Sequence, residues 1–514
     1  MGDRDVRDAA FVASRQRLIP YALLFAVALT LRLIGLSAQN IWYDEHWTLR
    51  VALTPLSQLL DLLIAEEGSK PPVYFALMHY WVKLGSSEFW LRLPSAIAGA
   101  CDCVVAAAVG RQLFGTVGRR LGWLLALAPF HIYYSQEARP FALWGLFMTT
   151  ALLFQLKFSA AAKGRLLVGY IISALLACHT FNYGLFLLLF SVVFAVLYRP
   201  PLPKRVRLHI ALANALVLIL SLPWTVRVIG AVAAHIGFIP LERGPVYAAA
   251  AYAVFSLGLG FSAGPSLEKL RGLGMTIFDQ DPIGGAILIL GFLLLCTLIA
   301  SGLFALWKRQ RVAFHFSATG LAVFLGAAAL LNAMKPEVPL NARYVLPAIL
   351  PLMVLILAGG GAVASAGRWR AWLSLAFVIF VGISLGNHYF NPAYARDDLR
   401  SAANFVAGLR PAPENVLICG PHLADVFNHY FRRRLPVEPV SAPPRAEAER
   451  ALQPLHERLS GVTRFALVYS RADHGDRDGV LPAALRSRYR LAEHRHWTGV
   501  DVFVFESAAP ESQR

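Results

Sequence analysis

Two adjacent carboxylates, Asp44 and Glu45, lie just beyond the first long apolar run, in the stretch Gln39-Asn40-Ile41-Trp42-Tyr43-Asp44-Glu45-His46. A carboxylate at the edge of a low-dielectric region is costly, so it is either kept for a task or placed as a cap at the water interface. The tasks open to it are general base and metal ligand. One base suffices for an inverting displacement at a sugar carbon, whereas a glycosidase needs two opposed carboxyl groups, which neighbours on one backbone do not readily supply. Four basic side chains can answer the acids. Lys70, in Lys70-Pro71-Pro72-Val73-Tyr74, offers a point charge suited to a lipid phosphate, and alone it is also the pattern of a snorkelling interfacial lysine. Arg92, in Leu91-Arg92-Leu93-Pro94-Ser95, opens the next apolar segment and needs an anionic partner, with Asp44, Glu45 or a lipid phosphate as candidates. Arg139 follows Gln136-Glu137 at another segment end, and Arg343 stands beside Tyr344 at a third.

The elements that must position these groups are membrane helices. Of 514 residues 57% are hydrophobic, the mean hydropathy is +0.53, and the apolar residues fall in many separate runs. The chain therefore reads as a polytopic α-helical membrane protein. A net charge of +17 in a soluble protein would suggest nucleic acid. Here the basic residues cluster in short turns between apolar runs, as at Arg111, Arg119 and Arg120 or at Lys308, Arg309 and Arg311. The positive-inside rule accounts for them, and no aromatic-basic interleaving marks a nucleic-acid partner. The first run exceeds a signal-peptide core and reads as an uncleaved anchor.

With the basic turns inside, crossings are expected near 18–36, 92–114, 120–134, 140–157, 165–178, 183–198, 208–223, 284–307, 312–331, 343–364 and 371–388. That is about eleven membrane helices, with about thirteen as the alternative. The apolar, Ala- and Gly-rich stretch 246–263 reads as an interfacial or re-entrant piece. Parity then puts the N-terminus in the cytoplasm and the loops 37–91, 135–139, 224–283 and 332–342 outside, gathering the acids and the four cations at one face. Such a gathering suits an anionic amphiphile. In the first loop, Leu56, Leu59, Leu60, Leu63 and Ile64 recur at helical spacing, predicting a short amphipathic surface helix, and 73–84 predicts a second juxtamembrane helix, with a tilted crossing as the alternative. Apart from Asp102, the span interiors read as nearly free of acids and bases.

Composition changes at Asn391, dividing the chain into a membrane domain, 1–388, and an extracytoplasmic domain, 389–514. Strands at 415–419, 464–469 and 500–505 and helices at 399–409, 423–433 and 446–459 are expected, the last interrupted at Pro454. Together they form a small α/β domain of roughly 120 residues. The five cysteines offer no disulfide framework. Cys101 and Cys103 flank Asp102 on different helix faces, and His131, His179 and His235 form no pair at ligand spacing. His494 and His496 share one face of a possible strand, as a ligand pair or as a solvated face.

In this order the residues resemble the membrane glycosyltransferases of the GT-C type, nearest to the bacterial branch related to protein O-mannosyltransferases and the lipid A aminoarabinose transferase. Five stretches carry the resemblance: Trp42-Tyr43-Asp44-Glu45, Lys70-Pro71-Pro72-Val73-Tyr74, Leu91-Arg92-Leu93-Pro94-Ser95, Tyr133-Tyr134-Ser135-Gln136-Glu137-Ala138-Arg139-Pro140 and Arg343-Tyr344-Val345-Leu346-Pro347. The tail, opening Asp398-Leu399-Arg400-Ser401-Ala402-Ala403, looks like the domain many bacterial members append.

The resemblance implies transfer of a sugar from a polyprenyl-phosphate donor to an acceptor hydroxyl at the periplasmic face of the bacterial inner membrane. The family's first-loop acid, which activates the acceptor, maps onto Asp44, with Glu45 supporting it or positioning the acceptor. The donor-phosphate cation maps onto Lys70. Arg92, Arg139 and Arg343, with Tyr344, would steady the departing polyprenyl phosphate, and Tyr74, Tyr134, Gln136 and Glu137 are further site candidates within the matching stretches. Displacement at C1 needs this division, a base on one side and neutralised charge on the other. Some relatives bind a divalent metal. Ser69 stands where an acid ligand would help, so no obligatory metal is expected, while Glu66 or Glu67 keeps a divalent metal open. The acceptor is a protein, lipid A, another glycolipid or a polysaccharide. The alternatives are a polysaccharide polymerase or ligase using a lipid-diphosphate oligosaccharide, and a lipid-linked sugar flippase, which would want ionisable groups deep within spans.

Overall fold

The computed structural model describes residues 3–65, 70–234, 245–334, 340–361, 367–431, 435–442, 448–471, 475–476 and 478–507. Glu66, Glu67, Ser69 and His235 lie outside these, as does the end of the helix expected at 423–433. The chain divides into two compact units. One comprises Met1–Leu36, Thr48–Pro265 and Met275–Tyr389, the other Ser37–Trp47, Ser266–Gly274 and Phe390–Arg514.

The first unit is a helical membrane fold. Among the described residues, seven helices are long and apolar enough to cross a membrane: Glu88–Ala126, Phe141–Ala161, Lys204–Arg227, Pro282–Arg309, Arg311–Met334, Ala342–Gly359 and Arg368–Phe390. Leu18–Leu33, Leu56–Ala65, Gly164–Cys178, Asn182–Leu197 and Val246–Leu259 are shorter apolar helices. The crossing expected at 120–134 is not one helix. The Glu88–Phe114 helix continues through a 3-10 turn into Arg120–Ala126, and a separate helix, Pro129–Ser135, then begins. Pro129 has no N–H to bond to the preceding turn, and its fixed φ suits a first helical position, so the chain restarts there.

The stretch 246–263, expected as an interfacial or re-entrant piece, contains the regular Val246–Leu259 helix, whose last turns are buried. Its small residues serve packing: a Cβ on Gly258 would lie 2.6 Å from Leu295 of the Pro282–Arg309 helix. The Leu56–Ala65 helix buries Leu59 and Leu63 while Leu56 and Leu60 stay exposed. The second juxtamembrane helix spans Pro72–Trp81, with proline at its start, and buries Tyr74, Phe75, Met78 and His79. Two helix backbones also come close where Pro282–Arg309 meets Ile349–Gly359. A Cβ on Gly302 would sit 2.3 Å from the Leu355 carbonyl oxygen, and one on Gly359 would sit 2.2 Å from that of Leu298. Such contacts need small residues, because in lipid the close fit itself drives association.

The second unit holds a five-stranded sheet ordered β2-β1-β3-β5-β4, from β1 (Asn415–Cys419), β2 (Val437–Val440), β3 (Arg464–Ser470), β4 (Tyr489–Trp497) and β5 (Val500–Ser507). β1 pairs in parallel with β2 and β3, while β5 runs antiparallel to β3 and β4. Alternate residues face opposite layers. Val416 and Ile418 pack with Leu399, Ala402, Ala403 and Val406 of the Leu399–Gly408 helix, whereas Leu417 and Cys419 pack with Leu452, Leu455, Leu481 and Leu485. Asp398 caps the first of these helices, accepting from the Ser401 N–H at 3.0 Å. The Ala448–Arg458 helix runs through Pro454 rather than breaking there, keeping Leu452 and Leu455 on its buried face.

Gly302→Leu and Gly359→Leu should each drive two backbones apart and cost about 1–3 kcal/mol or more, read as a lowered thermal unfolding midpoint in detergent. Gly326, in open space within the Arg311–Met334 helix, is the control. Gly326→Ala should leave the midpoint unchanged or slightly raised.

Candidate functional site

In the membrane unit the basic stretches converge, contact by contact. Arg92, in the second turn of the Glu88–Phe114 helix, is buried and donates Nη1 to the Leu36 carbonyl at 2.8 Å. One turn on, Ser95 Oγ donates to the Arg139 carbonyl at 3.4 Å, and buried Arg139 reaches Thr48 Oγ1 at 3.4 Å. Two residues further, the Phe141 ring lies 5.6 Å from the Arg343 guanidinium and 5.2 Å from the Tyr134 ring. Arg343 also bonds the Tyr344 hydroxyl at 3.4 Å, and Tyr344 stacks on Tyr183 at 5.2 Å. Phe181 closes the cluster against Phe141 and Tyr344, at 5.3 and 5.6 Å. The lysine stretch joins through its backbone: the Val73 N–H donates to the His179 carbonyl at 3.0 Å, two residues before Phe181. Lys70 is half-buried in the loop ahead, and Tyr74 is buried with its ring 5.4 Å from Phe75. Guanidinium groups held over aromatic faces remain charged yet oriented.

Gln136 and Glu137 sit in the irregular segment that follows the Pro129–Ser135 helix. Gln136 donates Nε2 to the carbonyls of Arg32 and Ile34, at 3.1 and 2.8 Å, and its Oε1 accepts from His388 Nε2 at 2.8 Å. Glu137 is buried. Beneath them lies a network with no counterpart in the sequence reading. Arg32 has no exposed surface; it bonds Ser135 Oγ at 3.2 Å, the Ala28 carbonyl at 2.8 Å and His131 Nδ1 at 2.7 Å. His131 Nε2 lies 3.0 Å from Asp102 Oδ2. Arginine can only donate, so Nδ1 must accept and Nε2 must carry the proton toward Asp102. A neutral imidazole thus joins a buried guanidinium to a buried carboxylate. The interior is therefore less free of ionisable groups than expected, and His131 belongs to this network.

The acid pair belongs to the second unit. Asp44 and Glu45 occupy the first turn of the Tyr43–Leu53 helix, where negative charge complements the helix dipole. The unit boundary falls after Trp47. Asp44 is half-buried. Glu45 has no exposed side-chain surface, and its Oε2 lies 2.8 Å from Arg396 Nη1. The Arg396 N–H donates to Gln39 Oε1 at 3.3 Å, Arg400 Nη2 donates to the Ala38 carbonyl at 2.6 Å, and the Ile41 N–H donates to the Tyr430 hydroxyl at 2.9 Å. The rings of Tyr43 and His422 meet at 5.4 Å, those of His46 and His429 at 5.8 Å. The acid-bearing stretch is thus built against the α/β sheet's own helices and loops.

The oligosaccharyltransferase of Archaeoglobus fulgidus, solved tethered to an acceptor peptide containing the NVT sequon, matches 96% of this chain and 75% of its own, at 12% identity and a TM-score of 0.50. This chain has the GT-C fold. ArnT of Cupriavidus metallidurans is similar over 96% of this chain and 98% of its own in the apo state, at 16% identity and a TM-score of 0.47. Its complex with undecaprenyl phosphate matches 95% and 98%, at 16% identity and a TM-score of 0.42. No protein-family model and no curated protein matches the sequence.

Among the described residues, no three His, Cys, Asp or Glu side chains are grouped to hold a metal. Cys103 donates to the Gly99 carbonyl at 3.2 Å. In the tail, His494 Nε2 and His496 Nδ1 both bond Asp501 Oδ1, at 2.8 and 3.1 Å. Sequence reasoning missed Arg32 and Arg396. Arg32 had a signal, since a charge inside a first span must find a partner. Arg396 had none, lying 351 positions from the carboxylate it meets.

His131→Leu should strand Arg32 and Asp102 as separated buried charges and cost about 3–5 kcal/mol. The check is the unfolding midpoint in detergent. His131→Gln, whose carbonyl can accept from Arg32 while its amide donates to Asp102, should recover most of the loss.

Proposed function

We propose that this chain is an inverting glycosyltransferase that moves a sugar from a polyprenyl-phosphate donor to an acceptor hydroxyl at the periplasmic face of the bacterial inner membrane, with its N-terminus cytoplasmic. The observation that carries the reading is that the stretches bearing Lys70, Arg92, Arg139 and Arg343 touch within one GT-C membrane unit, Ser95 meeting Arg139, Phe141 meeting Arg343 and Val73 meeting His179. Cations fixed there suit a phosphate whose charge grows as its bond to sugar C1 breaks. The half-buried rings of Phe181, Tyr183 and Tyr344, packed on Phe141, suit a prenyl chain or the apolar face of a sugar.

In this reading Asp44 takes the proton of the acceptor hydroxyl as its oxygen attacks C1. The C1–O bond to phosphate breaks, the configuration inverts, and free polyprenyl phosphate leaves on the cations. Acceptor classes in keeping with the reading are protein, lipid A, another glycolipid or polysaccharide. A flippase is the second reading, favoured by the buried Arg32–His131–Asp102 network. It predicts donor crossing the bilayer with no free polyprenyl phosphate released.

The test is release of polyprenyl phosphate by purified protein in liposomes given a panel of polyprenyl-phosphate sugars. One sugar should support turnover. Asp44→Asn should lower kcat by about 10²–10⁴-fold with donor binding retained, and Lys70→Ala or Arg343→Ala should weaken donor binding by about tenfold or more. Full turnover in Asp44→Asn would remove the base assignment. Consumption of lipid-diphosphate oligosaccharides alone would move the reading to a polymerase or ligase, and donor translocation without cleavage would move it to a flippase.

A further inference from the structure

The two carboxylates of the acid pair stand in different surroundings. Glu45 has no accessible side-chain surface and bonds a guanidinium, whereas Asp44, one residue earlier, is half-buried. A carboxylate without exposed surface is not placed to meet an acceptor hydroxyl. Its partner, Arg396, is itself fixed: its backbone N–H is bonded to Gln39 and its guanidinium lies 5.8 Å from the Trp42 ring. Neighbouring bonds from Arg400 to Ala38 and from Ile41 to Tyr430 complete the pattern. The segment leading into the acid helix is therefore held at residues 38, 39, 41 and 45, each time by a side chain or backbone group from the region 396–430.

We infer that Glu45 and Arg396 are positioning residues for the reaction, and that the C-terminal unit acts through them to hold the first turn of the acid helix so that Asp44 alone serves as the base. The inference rests on the glycosyltransferase reading and divides the work within its site. A helix start is where hydrogen bonds are missing and fraying begins. A buried ion pair is an effective pin there, because breaking it leaves an uncompensated charge. Two adjacent carboxylates then take different roles because their environments differ.

The test is a double-mutant cycle in the full-length protein, reading kcat, donor KM and the thermal midpoint for Glu45→Gln, Arg396→Gln, the combined Glu45→Gln/Arg396→Gln variant and Arg396→Lys. Each single neutralisation should lower kcat by about tenfold or more while donor KM holds. The combined variant, with no charge left unpaired, should return to within about threefold of wild type. Arg396→Lys should recover part of the rate, and Asp44→Asn should stay inactive in every background. A combined variant as slow as Glu45→Gln alone would make Glu45 a participant in the chemistry and overturn the inference, as would full turnover in Arg396→Gln. Should the wild type consume no donor, the glycosyltransferase reading fails by itself. The midpoints then decide the pin: restoration in the combined variant supports it, and additive losses overturn it.

Discussion

A guanidinium with no exposed surface sets the terms for the membrane unit. Arg32 cannot lose its proton, so its charge must be balanced inside the fold. The balance is reached through His131 to Asp102 and through bonds to Ser135 and Ala28. These contacts tie the Asp3–Leu33 helix to Glu88–Phe114 and to Pro129–Ser135. Gln136 extends the tie to His388 on the Arg368–Phe390 helix, and Tyr389 on that same helix donates to the Leu31 carbonyl at 2.6 Å. An apolar core would pack these helices at least as stably. What the polar network adds is a single register, and here it fixes the segment that carries Gln136, Glu137 and Arg139.

Irregular backbone at membrane depth is tolerated where protein satisfies its polar groups. Two such places serve the candidate site. One is the turn after Ser135, held by Gln136 and by the Ser95 bond to the Arg139 carbonyl. The other is the 3-10 segment Ala342–Ala348, where the Asn341 side chain accepts from the Arg343 N–H at 3.2 Å. Each presents an arginine next to Phe141 or on its face. Arg139 and Arg343 are thus carried by breaks in helices.

The α/β unit solves a different problem. Its sheet is buried on both faces by helices, and its polar groups are spent partly on the stretch 37–47.

Hydrophobic runs and short motifs, taken alone, determined much of this protein. The apolar segments that fold as helices and the strands expected at 415–419, 464–469 and 500–505 were legible, because burial and local spacing leave a periodic or compositional trace. Edge strands β2 and β4 were not fully legible, since Val437-Glu438-Pro439-Val440 and Tyr489–Trp497 carry polar residues, as sheet edges tolerate. The small residues of the helix at 246–259 are what close packing requires, as at Gly258 against Leu295. Only tertiary structure decided that Arg32 meets Asp102 through His131, and that Glu45 meets Arg396. Periodicity reports how buried a residue is, while the partner that makes a buried charge tolerable depends on which distant helices and loops the fold brings together.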